Sequence, residues 1–244
     1  MLEDWLVPDW PASPRVHAFV TTRAGGVSEG DYASMNLGQS SGDDPARVAR
    51  NREIVRALLP DEPRWLAQVH GVDVANLDDA GGPARPRADA AVASQPGKVC
   101  TVLTADCMPL LLCDAEGRRV AVAHAGWRGL SAGVIENTVR ALETTGERIL
   151  AWMGPAIGAD AFEVGAEVRE AFLSRDARAA EAFVAHTPGK YFADLYALAR
   201  QRLEAAGVTR IFGGGFCTYH DAERFFSYRR KKESGRMGAF IWIT

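Results

Sequence analysis

Thr104–Gly129, TADCMPLLLCDAEGRRVAVAHAGWRG, is the stretch that decides how the rest of the chain is read. Pro109 to Cys113 (PLLLC) and Arg119 to His124 (RVAVAH) are short apolar runs split by the turn-forming cluster Asp114-Ala-Glu-Gly117. This pattern predicts two strands joined in a hairpin. Cys107 precedes the first run and His124 ends the second. Antiparallel pairing then brings a thiol and an imidazole to one end of the sheet, opposite the turn. On residue type alone the pair reads as an ordinary buried thiol and a hydrogen-bonded strand end, with a reactive pair as the alternative.

Upstream, Val16 to Thr22 (VHAFVTT) is β-branched and aromatic enough for a strand. A long polar loop follows from Val27 to Gly42, and loops of that length more often serve function or motion than mere connection. Within it Asn36 is a candidate substrate-contacting amide, with a local turn hydrogen bond as the other reading. Asp43-Asp44-Pro45 opens a helix that runs to about Leu59 and stops at Pro60. Asn51 and Arg52 follow Val48 by three and four residues and so share its inward side. Arg52 therefore either passes the core to reach solvent or binds an anion. Arg64 to Val69 and Val72 to Leu77 are expected strands flanking His70-Gly71, which puts His70 at a tight turn. After the Gly81 to Arg87 loop, Ala88 to Ala93 carries Asp89, and Lys98 to Thr104 is a further strand.

Downstream of His124, two glycines lead from strand into a helix expected from about Ser131 to Leu142. Such a junction exposes backbone N–H groups, so the Gly126 backbone is a candidate anion contact. Further strands are expected at Arg148 to Gly154, Thr209 to Gly213, Arg224 to Tyr228 and Ala239 to Ile243, and helices at about Gly165 to Leu173 and Phe192 to Ala206. The basic run Arg229 to Arg236 reads as a solvated hairpin loop whose first residues can reach an anionic ligand. Strands spread from residue 16 to 243 with no repeat or linker, which favours one mixed α/β domain over residues 1–244.

The chain has 28 Lys+Arg against 31 Asp+Glu, a formal charge of -3, and offers no broad electrostatic attraction to nucleic acid or an anionic membrane. Local basic clusters can still hold small anions. Cysteines at 100, 107, 113 and 217 form no C-x-x-C pair, which fits a reducing compartment without disulfides; Cys100 and Cys113 read as core thiols. The opening MLEDWLVPDWP lacks the basic and apolar regions of a signal peptide, and no apolar run approaches a membrane span. A soluble cytoplasmic protein acting on a small molecule is the expectation.

If His70 joins Cys107 and His124, two imidazoles and one thiolate suit Zn²⁺ and leave one tetrahedral position open, as in a catalytic site. Copper accepts the same donors. A metal-free Cys107/His124 nucleophile pair, a purely structural metal and a nucleotide-binding domain are the other readings.

Seven ordered motifs carry a wider resemblance: Phe19-Val-Thr-Thr-Arg-Ala-Gly-Gly-Val-Ser28, Ser34-Met-Asn-Leu-Gly38, Gln68-Val-His-Gly71, Thr104-Ala-Asp-Cys107-Met-Pro109, His124-Ala-Gly-Trp-Arg-Gly129, Gly154-Pro-Ala-Ile-Gly158 and Phe225-Phe-Ser-Tyr-Arg-Arg230. Together they resemble the bacterial laccase-domain family, whose members are also described as multicopper polyphenol oxidase-like proteins, purine nucleoside phosphorylases or peptidoglycan editing factors. The likeness covers nearly the whole chain. It implies an α+β fold, a layered α/β/β/α sandwich with mixed sheets similar to that of a cysteine-hydrolase toxin. It implies zinc on His70, Cys107 and His124, with phosphorolysis of adenosine, inosine and methylthioadenosine and adenosine deamination as a second reaction.

Within that frame Asp106 or Asp89 would move protons, and Arg52, Arg229 and the Gly126 backbone would hold phosphate. Two alternatives remain. One is a peptidoglycan editing hydrolase that removes misincorporated L-serine from a muropeptide precursor. The other is copper polyphenol oxidation, for which five histidines are too few to build a multicopper cluster.

Overall fold

Residues 4–79 and 82–244 are described in the computed structural model. The first three residues of the N-terminal stretch and Gly81, where the loop to Arg87 begins, lie outside them. In chain order the first half holds β1 (Val16–Val20), α1 (Pro45–Arg56), β2 (Val74–Asn76), β3 (Ala90–Ala93), β4 (Cys100–Thr104), β5 (Met108–Asp114) and β6 (Val120–Ala125). The second half holds α2 (Trp127–Ala132), α3 (Val134–Ala141), β7 (Ile149–Met153), β8 (Glu163–Gly165), α4 (Ala166–Leu173), β9 (Phe183–Ala185), β10 (Lys190–Ala193), α5 (Leu195–Ala205), β11 (Arg210–Gly213) and β12 (Met237–Ile243).

β5 and β6 are buried on both faces, and for that reason they read as unbroken apolar runs instead of alternating ones. They pair antiparallel with Pro109 opposite His124 and Leu111 opposite Val122. This hairpin is the centre of a mixed six-stranded sheet ordered β11-β7-β5-β6-β3-β2, with parallel pairs only at its two edges. Leu110, Leu112, Ala121 and Ala123 face the helical layer, meeting Ile135 and Val139 of α3 and Leu198 and Leu203 of α5. Leu111, Cys113, Val120 and Val122 face the other way, against Val102, Ala239 and Ile241 of a three-stranded sheet ordered β1-β12-β4. Truncating any of these enclosed leucines to alanine costs about 2–5 kcal/mol.

The outer face of the small sheet is closed by α1, where Val55 joins Phe19, Leu37 and Phe240. Asp44 caps that helix through the N–H of Ala46, with Pro45 in the first turn. The layers are therefore helix, sheet, sheet, helix, an α+β fold of the expected kind. A third sheet, β8-β10-β9, lies beside α4. Among the described residues no helix is long and apolar enough to cross a membrane.

Three expected elements come out differently. Arg64 to Val69 forms only a single bridge at Arg64, because the Gln68 side chain takes the place of a strand: its amide donates to the Leu103 carbonyl and accepts the Leu103 N–H, both at 2.8 Å. Arg224 to Tyr228 is a set of turns in which Phe225 and Phe226 pack with Met237, so its apolar signal belongs to a buried turn. The helix after His124 begins at Trp127, earlier than expected, and Gly133 in the left-handed region (φ 113°) divides it into α2 and α3.

Candidate metal centre and its cavity

Asp89, placed just before β3 and fully enclosed, organises the site. Its Oδ1 accepts the His70 N–H at 2.9 Å, and its Oδ2 accepts the N–H groups of Val69 at 3.0 Å and Gly71 at 2.7 Å. One carboxylate thereby folds the Gln68 to Gly71 turn around itself and holds His70 in the left-handed region at φ 59°, which is costly for a residue with a Cβ. The same Oδ1 lies 2.9 Å from His124 Nδ1. A carboxylate can only accept, so Nδ1 carries a proton, and Nε2 is the nitrogen left for a ligand once the ring is neutral. Burial works against the charge on Asp89, but the bonds from His124, Val69 and Gly71 outweigh it and hold its pKa down to about 2.

Cys107 enters from the other strand of the hairpin. Its Sγ lies 3.9 Å from His70 Nε2, and the donor atoms of His70, Cys107 and His124 all fall within 4.8 Å of one another. The two imidazole rings meet edge to face with centroids 4.8 Å apart. Burial would raise the Cys107 thiol, yet the positive charge of His124 and hydrogen bonds from both histidines bring it below its ordinary value. Burial would lower His124, and the Cys107 sulfur and Asp89 carboxylate raise it instead. Each charged form stabilises the other, and thiolate is the form of sulfur that binds metal.

The donor set fits a zinc-class ion. Two imidazole nitrogens and one cysteine sulfur gathered at one point are donors that zinc takes in sites that keep an open position. Gly126 keeps that space open, since a Cβ there would stand 2.7 Å from Cys107 Sγ and 3.2 Å from His70 Cδ2. The carboxylate behind His124 is the support that metal-ligating histidines usually have.

The triad forms part of a cavity of about 580 Å³. Apolar and aromatic walls come from Leu66, Leu103, Ile157, Phe162, Trp127 and Tyr228. Four arginines, Arg85, Arg128, Arg229 and Arg236, line it against a single carboxylate, Asp106. Arg128 lies over the Trp127 ring at 4.4 Å, Arg229 over Phe162 at 5.4 Å and Arg236 over Tyr228 at 5.7 Å, so these guanidinium groups are seated on aromatic faces.

Of the residues expected from sequence, the structure brings His70, Cys107, His124, Asp106 and Arg229 to the cavity. Asp106, at φ 83°, accepts the Thr218 hydroxyl and the Arg229 N–H, each at 2.6 Å, and so fastens two other segments to the Cys107 turn. Asp89 acts from behind His124. Gly126 lies behind Cys107 at the start of α2, outside the cavity lining. Asn36 and Arg52 do not reach the cavity. Asn36 is enclosed, donates to Ser41 Oγ and Asp43 Oδ2, and accepts the N–H groups of Gly38 and Arg236. Arg52 donates twice to the Leu37 carbonyl and stacks on Trp65 at 3.8 Å. Both hold the loop whose residues Gly38 to Ser41 do line the cavity.

Arg128 and Arg236 were missed in the sequence. Arg128 sits inside the His124-Ala-Gly-Trp-Arg-Gly129 motif, and Arg236 ends a basic run of which only the first residues read as able to reach an anionic ligand.

A family model described as multi-copper polyphenol oxidoreductase laccase matches residues 17–244. The chain is 54% identical over 241 residues, 98% of both chains, to a purine nucleoside phosphorylase of Pseudomonas aeruginosa. It is 55% identical, again over 98% of both, to purine nucleoside phosphorylase YfiH of Escherichia coli. A solved Neisseria meningitidis protein superposes with a TM-score of 0.94 at 48% identity, covering 98% of this chain and 99% of that one.

Proposed function

The chain belongs to the family of multi-copper polyphenol oxidoreductase laccases, and we propose that it is a zinc-dependent purine nucleoside phosphorylase acting on adenosine, inosine and methylthioadenosine, with adenosine deamination as a second reaction. Relatives sharing about half of its residues over almost their whole length carry the phosphorylase name. The observation that carries the proposal is the cavity's charge: four arginines against one aspartate, beside aromatic walls. That combination suits a substrate pair made of a flat, apolar-faced base and an inorganic anion.

Arg128, Arg229 and Arg236 would bind phosphate oxygens by charge-assisted hydrogen bonds. Trp127, Phe162 and Tyr228 would hold the purine face. In phosphorolysis a phosphate oxygen bonds to the sugar carbon as the carbon–nitrogen bond to the base breaks. Asp106, the single carboxylate among the cavity-lining residues, would pass the proton that the base takes up. Asp89 has all its acceptor capacity turned to four protein donors and acts on the substrate only by fixing His124. Zinc held by His70, Cys107 and His124 would supply Lewis-acid polarisation and water activation, the chemistry that deamination needs. Two imidazoles and one thiolate suit one ion, so a multicopper oxidase centre is disfavoured.

Product analysis tests this reading. Purified protein incubated with adenosine and phosphate should release adenine and ribose 1-phosphate, with some inosine. Finding no adenine, hypoxanthine or inosine would overturn it, and release of L-serine from a serine-containing muropeptide precursor would put the editing hydrolase in its place.

A further inference from the structure

A second group of metal-binding side chains lies on the far side of the segment that anchors Asp106. The turn that holds Asp160 meets the turn Cys217-Thr-Tyr-His220, and the donor atoms of Asp160, Cys217 and His220 all lie within 4.8 Å of one another. His220 Nε2 is 3.1 Å from Asp160 Oδ2, an exposed contact that by itself is an ordinary surface ion pair worth little. The half-buried sulfur is what that explanation leaves over. Cys217 Sγ accepts the backbone N–H of Gly158 at 3.2 Å, and a Cβ on Gly158 would stand 2.9 Å from the sulfur. A residue without a side chain thus lets its amide approach the thiol closely, in the manner of the outer contacts that steady a metal-bound ligand.

We propose that Asp160, Cys217 and His220 hold a second divalent ion of the zinc class, independent of the His70, Cys107 and His124 triad. One thiolate and one carboxylate would balance its charge, the imidazole supplies the third donor, and the exposed side leaves room for water. The two sites share no ligand. They are joined through Thr218, which lies between two of the proposed ligands and donates its hydroxyl to Asp106 Oδ1 at 2.6 Å. An ion held by Cys217 and His220 therefore braces the segment that positions the cavity's single lining carboxylate.

Cobalt(II) titration of the full-length, metal-stripped protein tests the site, because a thiolate ligand to cobalt gives an intense near-ultraviolet charge-transfer band. Cys100 and Cys113 are fully enclosed in the sheets and cannot contribute. The wild-type chain should take up two equivalents. Cys107→Ser should keep one equivalent and a thiolate band, and adding Cys217→Ser or His220→Ala should remove both. A single equivalent in the wild type, or uptake by Cys107→Ser that neither second substitution changes, would overturn the proposal. Should Cys107→Ser fail to fold, the wild-type count and its fall to one equivalent in Cys217→Ser decide the matter in the same way.

Discussion

Asp89 and His124 are joined twice: the Asp89 carbonyl accepts the His124 backbone N–H at 2.7 Å, and the Asp89 carboxylate faces ring Nδ1 at 2.9 Å. The first bond ties His124 of β6 to the residue that leads into β3, and the second sets which ring nitrogen faces Cys107. Asp89→Asn separates these functions. Its amide would set an N–H against the backbone donors of the His70 turn or against the imidazole. His124 would then do best by moving its proton to Nε2, the atom needed for metal. Zinc affinity should fall about 10–100-fold, the usual loss when such a supporting partner is removed. Competition with a chelator measures it, and unchanged affinity would separate Asp89 from the metal site.

The same carboxylate links stability to pH in the metal-stripped protein. Its folded pKa, about 2, lies below the ordinary value of 3.8, so its contribution is fully present above about pH 4 and is lost as pH falls toward 2. The contribution is about 2 kcal/mol by the linkage relation. Urea unfolding between pH 5 and pH 2 should show that loss in the wild type. In Asp89→Asn, less stable throughout, the slope over this window should shrink; an identical slope in both proteins would count against the assignment.

Gly126 offers a steric test of the triad. Its missing side chain leaves the space in which Cys107 and His70 meet, and the Cβ of Gly126→Ala would stand 2.7 Å from Cys107 Sγ. Neither ligand is removed and the backbone there (φ -74°, ψ 160°) suits alanine, so the fold should persist. Zinc retention should drop at least about tenfold while the far-ultraviolet circular dichroism stays unchanged. Full zinc occupancy in this variant would show that the three donors do not converge where the geometry puts them.

The sequence made the centre of the fold legible because β5 and β6 are enclosed on both faces and carry the residues such strands demand. The approach of Cys107 to His124 followed from the antiparallel hairpin alone. Elements whose backbone bonds go to side chains were not legible. Gln68 imitates a strand with its amide, and the Asp89 carboxylate replaces a ladder for Val69, His70 and Gly71, so a strand was expected where none forms. The arginines failed for another reason. Arg52 looked like an anion ligand because it shares the inward side of α1, but the direction of its guanidinium depends on Leu37 and Trp65, which the tertiary fold supplies. Arg236 reaches the cavity through contact with Asn36, 200 positions earlier, a separation over which no sequence spacing rule operates.

That contrast between Arg52 and Arg236 makes the phosphate assignment testable. Arg236 and Arg229 line the cavity, and replacing either by glutamine should raise KM for phosphate at least about tenfold, the effect of losing a charge-assisted bond worth about 1.5–3 kcal/mol. KM for adenosine should change far less, because the aromatic walls remain. Arg52→Gln should do the opposite. It loses two bonds to the Leu37 carbonyl and the stack on Trp65, so stability should fall by about 1–3 kcal/mol while KM for phosphate stays near the wild-type value. Steady-state kinetics with phosphate varied at saturating adenosine, together with urea unfolding, separates the two classes. A raised phosphate KM in Arg52→Gln but not in Arg229→Gln or Arg236→Gln would move the anion site away from the cavity's arginine side and onto the loop that Arg52 supports.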